Sequence, residues 1–459
     1  MKGGGNVGVG VGGGLLGNMG GGGGVGGGLG GGGLSVPNWE SARRPSFLPN
    51  DTQMNLRPKV RRLSTYDLSI NTSDASTADT PVVMCEGEVD LEDPEPPPCL
   101  NELTEWVMGD VQYMTDFLDG WPLFSRVLPL KLLNAVLRNL GAPILANNPI
   151  SGLLILTALL FEAPMVMVWA AGALGVALLM SLVLQQPQHI VSSGQVTQHG
   201  LLLGILVGHS LVKFPHTTIT STAITLTLSA ALSVLVGNAV STWLSQTNLP
   251  GLTVAYTVLG SYLCSGLGYH DFSSSVAGHH FPNATLNQEL QWSLVLQGAV
   301  LGAGQVYGCS TLVSSGLVLA AMLVFSPITF FQAVLGSLTG SLCGTVMDQP
   351  PFTALYSGLY CRHSLLSCLS LAGFFFTLNL YSTLTGVCGA VFSSFIFHTL
   401  NKNSFPVLTT PHVVATLVLL HARIRGGLLK RVDLIYLTYP EMHRRLFRPG
   451  NAVEDCALP

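Results

Sequence analysis

The stretch SFPVLTTPHVVATL, from Ser404 to Leu417, opens a short apolar run with the pattern Pro-x-x-Thr, and NLPGLTVAYTVLG, from Asn248 to Gly260, repeats that pattern far upstream. Both runs are shorter than the ~20 residues that a helix needs to cross a bilayer. Proline suits the start of a helix because it has no N–H to satisfy there. A helix that begins inside the membrane points its N-terminal N–H groups into a cavity. One copy alone favours an ordinary span kinked by proline, but two matched copies predict paired re-entrant half-helices.

The composition is that of a membrane protein. The 459 residues have a mean hydropathy of +0.48, and only 10% of them are charged, against about a quarter in soluble domains. Charged residues are sparse from Ala142 to Leu420 and frequent at both ends. The nine cysteines show no metal-ligand spacing, so neither a metal site nor a cofactor is predicted. No catalytic or nucleotide-binding motif is present, which argues against an enzyme and against a nucleic-acid partner.

The apolar region repeats itself. The matched pairs are Gly194 with Gly358 and His199 with His363, each 164 residues apart, Pro164 with Pro327 at 163, and Thr253 with Thr409 at 156. Halves with an odd number of spans insert with opposite topology and place the solute site at the bilayer midplane. The prediction is an all-α polytopic membrane protein of about ten spans: two inverted repeats of five transmembrane helices, each with a re-entrant pore half-helix.

Five segments follow from this pattern. They are a disordered, Gly-rich and polar cytoplasmic arm (1–101), a first membrane repeat (102–266), an extracellular loop (267–290), a second membrane repeat (291–421) and a cytoplasmic tail (422–459). The basic residues near both ends place both termini in the cytoplasm. We expect a multi-pass protein of the plasma membrane. Asn283, in the sequon NAT, is the candidate glycosylation site, and Ser64, after a basic pair, is a possible phosphorylation site, although such triplets are common in disordered tails.

Several motifs together resemble the vertebrate urea transporters, of which this chain would be a divergent member. They are NNPISGLLIL (147–156), LPGLT (249–253), GAGQVYGC (302–309), FPVLTTP (405–411) and LTYPEMHRRLF (437–447). The resemblance implies ten transmembrane helices plus two re-entrant pore helices, a pore within each protomer, and a homotrimer in the lipid bilayer. It also implies passive, channel-like passage of urea through a narrow filter.

The resemblance assigns roles to individual residues. Thr253 and Thr409 correspond to the threonines that line the dry middle of the family's filter. Gln305 corresponds to a glutamine that binds the urea amide, whereas its partner in the first half has become Ala142. Leucines beside the solute slots persist as Leu202 and Leu366.

Other filter positions depart from the family. The aromatic residues that flank each urea have been replaced; their equivalents are Leu145 and Gln198 in the first half and Gly308 and Arg362 in the second. The family's asparagines have become His199 and His363, and two phenylalanines after the Pro-x-x-Thr motif have become Tyr256 and His412.

Two of these departures allow alternatives. Arg362 at a pore wall would repel cations and bring water, but its side chain could equally extend to a helix end at the membrane surface. His199 and His363 could face each other as a pH-sensitive gate; a backbone hydrogen bond for each is the favoured interpretation.

Three functions remain open from the sequence. The first is passive urea transport down its gradient; the second is a channel for another small neutral solute, such as water, ammonia or a urea analogue; the third is a scaffold that conducts nothing. The retention of Thr253, Thr409 and Gln305 favours the first two.

Overall fold

The computed structural model describes residues 107–121, 126–213, 218–266, 289–422, 429–434 and 437–446. Throughout these ranges the regular elements are helices, apart from one isolated β-bridge between Phe376 and Arg431. The prediction of an all-α membrane fold is therefore confirmed. Ser64, Asn283, the arm 1–101 and most of the loop 267–290 lie outside the described residues, and their assignments stay predictions.

The helices fall into two series separated by that loop. The first series is α1 (Gln112–Asp119), α2 (Leu128–Gly141), α3 (Pro149–Glu162), α4 (Pro164–Val183), α5 (Gln188–Ser193), α6 (Gln198–Lys213), α7 (Ile219–Ser245) and α8 (Val254–Gly266). The second is α9 (Trp292–Gly304), α10 (Leu312–Phe325), α11 (Pro327–Met347), α12 (Thr353–Tyr356), α13 (Leu359–Leu369), α14 (Leu380–Lys402), α15 (Thr410–His421) and α16 (Pro440–Leu446).

Membrane-spanning length is reached by five apolar stretches of the described residues. These are Pro164–Val183, Gln188–Leu211, Ile219–Ser245, Pro327–Met347 and Leu380–Lys402. Two further apolar pairs are sharply bent: α2 with its following turn meets α3 at 80°, and α9 with its following turn meets α10 at 76°. Counting each bent pair as one span gives up to seven spans in the described part of the chain, so the figure of ten remains a prediction.

Side-chain caps mark the start of α3 in the first series and of α10 in the second. The Asn148 side chain accepts hydrogen bonds from the backbone of Ile150 at 2.8 Å and of Ser151 at 3.2 Å, and Pro149 occupies the first turn of α3. In the second series Thr311 caps α10 by accepting from Ser314 N. Caps of this type satisfy N–H groups that a helix leaves unpaired at its first turn.

Corresponding helices of the two series run antiparallel. Ser151, near the start of α3, donates to Ala321 O near the end of α10, and Ser314, near the start of α10, donates to Ala158 O near the end of α3. This is the relation expected between matched helices of inverted repeats.

The backbone repeats the same symmetry at residues of positive φ. The pairs are Gly194 (73°) with Gly358 (80°), Leu145 (58°) with Gly308 (76°), Asn248 (55°) with Ser404 (54°), and Leu252 (42°) with Leu408 (44°). Their spacings are 164, 163, 156 and 156 residues, the same spacings that the sequence pairs give. Left-handed backbone is uncommon outside glycine, so its recurrence at matched positions supports the two-repeat interpretation.

One predicted apolar block differs from the structure. Hydropathy predicts a span over 363–381, whereas α13 ends at Leu369 and a π-turn with non-helical Ala372 and Gly373 (φ 112°) follows. The backbone just beyond this break pairs with the C-terminal segment instead, because Thr377 N donates to Lys430 O and Val432 N donates to Phe375 O. These bonds replace those of a continued helix.

The outer surface of the bundle is apolar. The long helices α7 and α11 expose large hydrophobic side chains, among them Trp243 at 70% and Val346 at 85%. An apolar face of this extent is suited to lipid rather than water.

Candidate solute filter

The N-terminal ends of the two half-helices α8 and α15 meet inside the protein. Thr253 Oγ1 donates to Thr409 Oγ1 at 2.8 Å, and Thr257 Oγ1 lies 3.0 Å from the same Thr409 oxygen. Thr409 is the N-cap residue of α15, and Thr253 directly precedes α8. The structure thus brings together the two threonines that the repeated motif singles out.

The prolines of the motif lie differently from the sequence expectation. Pro250 and Pro406 precede α8 and α15 instead of occupying their first helical positions. Pro411 takes a position in the first turn of α15, and no proline does so in α8. Between each proline and its threonine the chain turns through a left-handed leucine, Leu252 or Leu408.

Arg362 lies close to this meeting point in the second repeat. Its Nη2 donates to Leu408 O at 3.2 Å, its Nη1 lies 3.5 Å from Gln305 O, and its Nε donates to His363 Nε2 at 3.3 Å. Nη2 also lies 3.0 Å from His363 Nε2. The guanidinium therefore contacts the residue next to Thr409.

The helix that carries Arg362 lies in the protein interior. Every residue of α13 is buried except Arg362, which is half-buried. Arg362 is therefore carried by a helix of the protein interior, not by one that faces the lipid. The alternative in which Arg362 extends to the membrane surface does not match this arrangement.

Gln305 sits beside Arg362 with its amide group unused. It begins the short 3₁₀ turn Gln305–Tyr307 and is 1% exposed, and neither its Nε2 nor its Oε1 has a hydrogen-bond partner. A buried amide left without partners costs roughly 1–3 kcal/mol. An unsatisfied amide of this kind is suited to a polar solute. Its counterpart Ala142 begins the matching turn, Ala142–Ile144, and carries no polar group.

A ring from outside the predicted set covers Gly308. The Gly308 position is left-handed (φ 76°), and a Cβ built there would run into the imidazole of His209. His209 Nε2 lies 3.2 Å from Tyr307 O. Sequence reasoning missed His209 because it lies in the apolar helix α6 with no motif around it.

In the first half, the two positions where the family has aromatic residues are Gln198 and Leu145. Gln198 is buried and donates from Nε2 to Gln195 O at 2.9 Å, while its Oε1 has no partner. Leu145 is left-handed, as its counterpart Gly308 is. Leu202 and Leu366 are buried at 3% and 2%.

The two symmetric histidines pack against the long helices of their own repeats. His199 lies against Gly237 of α7, and the His363 ring lies 5.4 Å from that of Phe397 of α14. The Nδ1 atoms of both histidines are buried without a partner. The expected backbone hydrogen bond is therefore not made at Nδ1, and His363 accepts from the Arg362 side chain at Nε2 instead.

The two residues in place of the family's phenylalanines are both buried. Tyr256 is 7% exposed and His412 4%. His412 Nδ1 lies 3.2 Å from Thr416 Oγ1 and 3.4 Å from Ser367 Oγ, so this nitrogen has partners within the protein. Among the described residues no group of three or more His, Cys, Asp or Glu side chains is placed to hold a metal ion.

Antiparallel repeats, bent half-spans and polar half-helix ends meeting in the interior define a multi-pass membrane protein of the inverted-repeat transporter class. A family model described as "Urea transporter" matches residues 133–424. The chain belongs to the urea transporter family.

The similar curated proteins agree with this assignment. Urea transporter 1 of Capra hircus is 28% identical over 359 residues, which cover 74% of this chain and 88% of that protein. Urea transporter 1 of Mus musculus is 28% identical over 365 residues, which cover 75% and 90% respectively. The resemblance inferred from short motifs is confirmed, and the identity level marks a divergent member.

Proposed function

We propose that this protein transports urea passively, down its gradient, through a narrow filter at the membrane midplane of each protomer. The relatives are named as urea transporters. The observation that carries the proposal is the contact between Thr253 and Thr409, because it places two hydroxyls from opposite repeats at one point of the interior.

The chemistry of urea suits these hydroxyls. Urea is neutral, planar and strongly hydrated, so a filter that removes its water must supply acceptors for its N–H groups. Thr253, Thr257 and Thr409 supply hydroxyl oxygens. In this conformation the hydroxyl groups form hydrogen bonds with each other. An entering urea breaks one of these threonine–threonine hydrogen bonds and forms hydrogen bonds with the threonines in its place. The net exchange of one hydrogen bond is small, about 1 kcal/mol.

The planar rings that flank urea in the family are largely absent from the corresponding positions of this chain. Leu145, Gln198, Gly308 and Arg362 carry no ring. The imidazole of His209 over Gly308 offers one planar face in the second repeat. We infer that this chain holds the plane of urea less tightly than a filter with paired aromatic residues does.

The remaining assignments belong to the same proposal. We expect a homotrimer in the plasma membrane with both termini in the cytoplasm and a glycan on Asn283. These expectations rest on the family and on the distribution of basic residues and the sequon.

One observation favours the scaffold alternative. The hydroxyls of Thr253 and Thr409 are in direct contact, so no solute-sized gap separates them in this conformation. A protein that kept the fold and lost conduction would retain such a contact permanently.

Urea uptake in injected oocytes separates these functions. We expect injected cells to take up urea faster than uninjected cells, with inhibition by a phloretin-type blocker. Equal uptake in both, with the protein detected at the cell surface by biotinylation, would reject urea transport. Parallel uptake of methylurea and ammonia tests whether another small neutral solute is preferred.

A further inference from the structure

Arg362 places a positive charge inside the membrane region without a described negative partner. Its guanidinium contacts two backbone carbonyls, of Gln305 and Leu408, and the ring of His363. It forms no ion pair with any carboxylate of the described residues. A charged group at such a depth is costly and is usually tied to a substrate or ion pathway.

The guanidinium lies next to the filter threonines. It is the one half-buried side chain on the otherwise buried helix α13, and it bonds the carbonyl of Leu408, which adjoins the filter threonine Thr409. A solute that enters between the two half-helices therefore comes within reach of this charge.

Hydrogen-bond donors remain available beside it. Nη1 has one long contact of 3.5 Å with Gln305 O, and the amide nitrogen of Gln305 has no partner at all. The N-terminal end of α15 begins two residues beyond Leu408 and adds the positive end of a helix dipole. The charge and the free donors together are suited to a ligand that presents negatively charged oxygen.

We propose that the filter also admits a planar monovalent oxyanion of the size and shape of urea, such as nitrate or bicarbonate, and that Arg362 is the residue that selects it. This inference rests on the pore of the proposed function. Nitrate and urea share a flat arrangement of three atoms about one central atom. A guanidinium binds planar oxyanions through parallel N–H···O bonds, and rings of basic side chains favour anions in other pores.

The internal repeat provides the substitution that tests this role. The position equivalent to Arg362 in the first half is Gln198, 164 residues upstream. Arg362→Gln thus removes the charge and installs the side chain that the other repeat carries. Lys402→Gln is the matched control, because Lys402 is an exposed cation at the end of α14.

The experiment uses the full chain in proteoliposomes, with nitrate as the probe. Nitrate uptake driven by a potassium–valinomycin potential and urea uptake by stopped-flow light scattering are measured on the same preparation. We expect wild type and Lys402→Gln to take up nitrate well above protein-free liposomes. Arg362→Gln should lower nitrate uptake by about tenfold or more, the effect of losing one charge-assisted hydrogen bond.

The outcomes separate this inference from the proposed function. Urea uptake without nitrate uptake overturns the inference alone, and nitrate uptake without urea uptake overturns urea transport alone. If neither urea nor nitrate is taken up, both urea transport and the oxyanion inference are overturned. Nitrate uptake that Arg362→Gln leaves intact also overturns the role of Arg362.

A second experiment covers the case in which Arg362→Gln does not fold. Nitrate is added to wild type during urea uptake, with sulfate at equal ionic strength as the control. Slower urea uptake in nitrate only supports the shared filter, and equal rates in the two salts contradict it.

Discussion

Thr409 takes part in two hydroxyl contacts at once. Its Oγ1 accepts from Thr253 across the repeat boundary and lies next to Thr257 of the same half-helix as Thr253. Each of these two bonds is worth only about 1 kcal/mol net, so an entering solute can replace either of them at little cost. The selectivity of the filter therefore depends on few atoms.

Replacement of Thr409 by valine should lower urea uptake by about tenfold, the factor that ~1.4 kcal/mol gives. Valine keeps the volume of threonine nearly constant but removes the oxygen to which Thr253 donates. The measurement is stopped-flow urea uptake in proteoliposomes. Thr399→Val is the control, because Thr399 is exposed on α14 and bonds only within its own helix. A Thr409→Val rate equal to that of Thr399→Val would argue against a role for this hydroxyl.

Single residues of the filter were predictable to different degrees. Thr253 and Thr409 could be predicted because the motif Pro-x-x-Thr occurs twice and ends on each of them. His209 and Thr257 do not, because their importance comes from contacts with residues of other segments, Tyr307 and Thr409. Arg362 was identified as unusual, but its position on a buried helix depends on packing that the sequence does not specify.

Two matched glycines form the turns that lead into α6 and α13. Gly194 and Gly358 precede α6 and α13, both with left-handed backbone, and both in tight contact with a neighbouring segment. A Cβ on Gly194 would lie 2.8 Å from Asn139 Cγ, and one on Gly358 would lie 2.6 Å from Gly298 O. Only glycine is free of steric cost in both respects.

Gly194→Ala and Gly358→Ala should each destabilise the protein by at least ~1–2 kcal/mol, the cost of an L side chain at strained φ before any clash is added. The measurement is the thermal unfolding temperature in detergent. Gly316→Ala serves as the control because a Cβ there meets nothing within 4 Å. If all three variants unfold at the wild-type temperature, the two turns are not under the constraint described.

Element boundaries were predicted best where a cap or a proline marks them. Hydropathy predicts apolar blocks over 149–161 and 311–325, and these match α3 and α10 within a residue, where Asn148 and Thr311 cap the helix starts. The prediction of a continuous span over 363–381 was wrong. Its break near Gly373 depends on backbone pairing with residues 430–432, which lie far away in the chain.

At the scale of the whole molecule, the two repeats could be paired from sequence because four residue pairs keep nearly constant spacing. The antiparallel contact of α3 with α10 and the matched left-handed residues agree with that pairing. The number of spans could not be fixed in this way. Bent pairs and helices such as Thr410–His421 are too short for a hydropathy rule based on full spans.

Acid should destabilise the folded protein partly through His443, which lies in α16 beyond the last described span. Its Nε2 accepts from Thr438 N at 2.8 Å, and burial lowers the pKa of this histidine from 6.5 to about 4. A lowered pKa means that the stabilisation is present above pH ~6.5 and is lost as the pH falls from there towards 4. His443→Gln should therefore show a smaller fall in unfolding temperature between pH 7 and pH 5 than wild type.

Because the rest of the chain is the same in both proteins, the informative quantity is the difference between their two pH profiles. His421→Gln, at an exposed histidine that ends α15, is the control substitution. Identical profiles for wild type and His443→Gln would contradict the assignment of this pH dependence to His443.

The most direct test of the central claim joins the two filter threonines covalently. Thr253 and Thr409 are changed to cysteine together, and urea uptake is measured in proteoliposomes before oxidation, after oxidation and after reduction. Their hydroxyl oxygens lie 2.8 Å apart, so the two side chains already touch. We predict that oxidation reduces uptake to the level of protein-free liposomes, that reduction restores it, and that neither single cysteine variant responds. A disulfide confirmed by mass spectrometry with unchanged urea uptake would show that urea does not pass between these two residues.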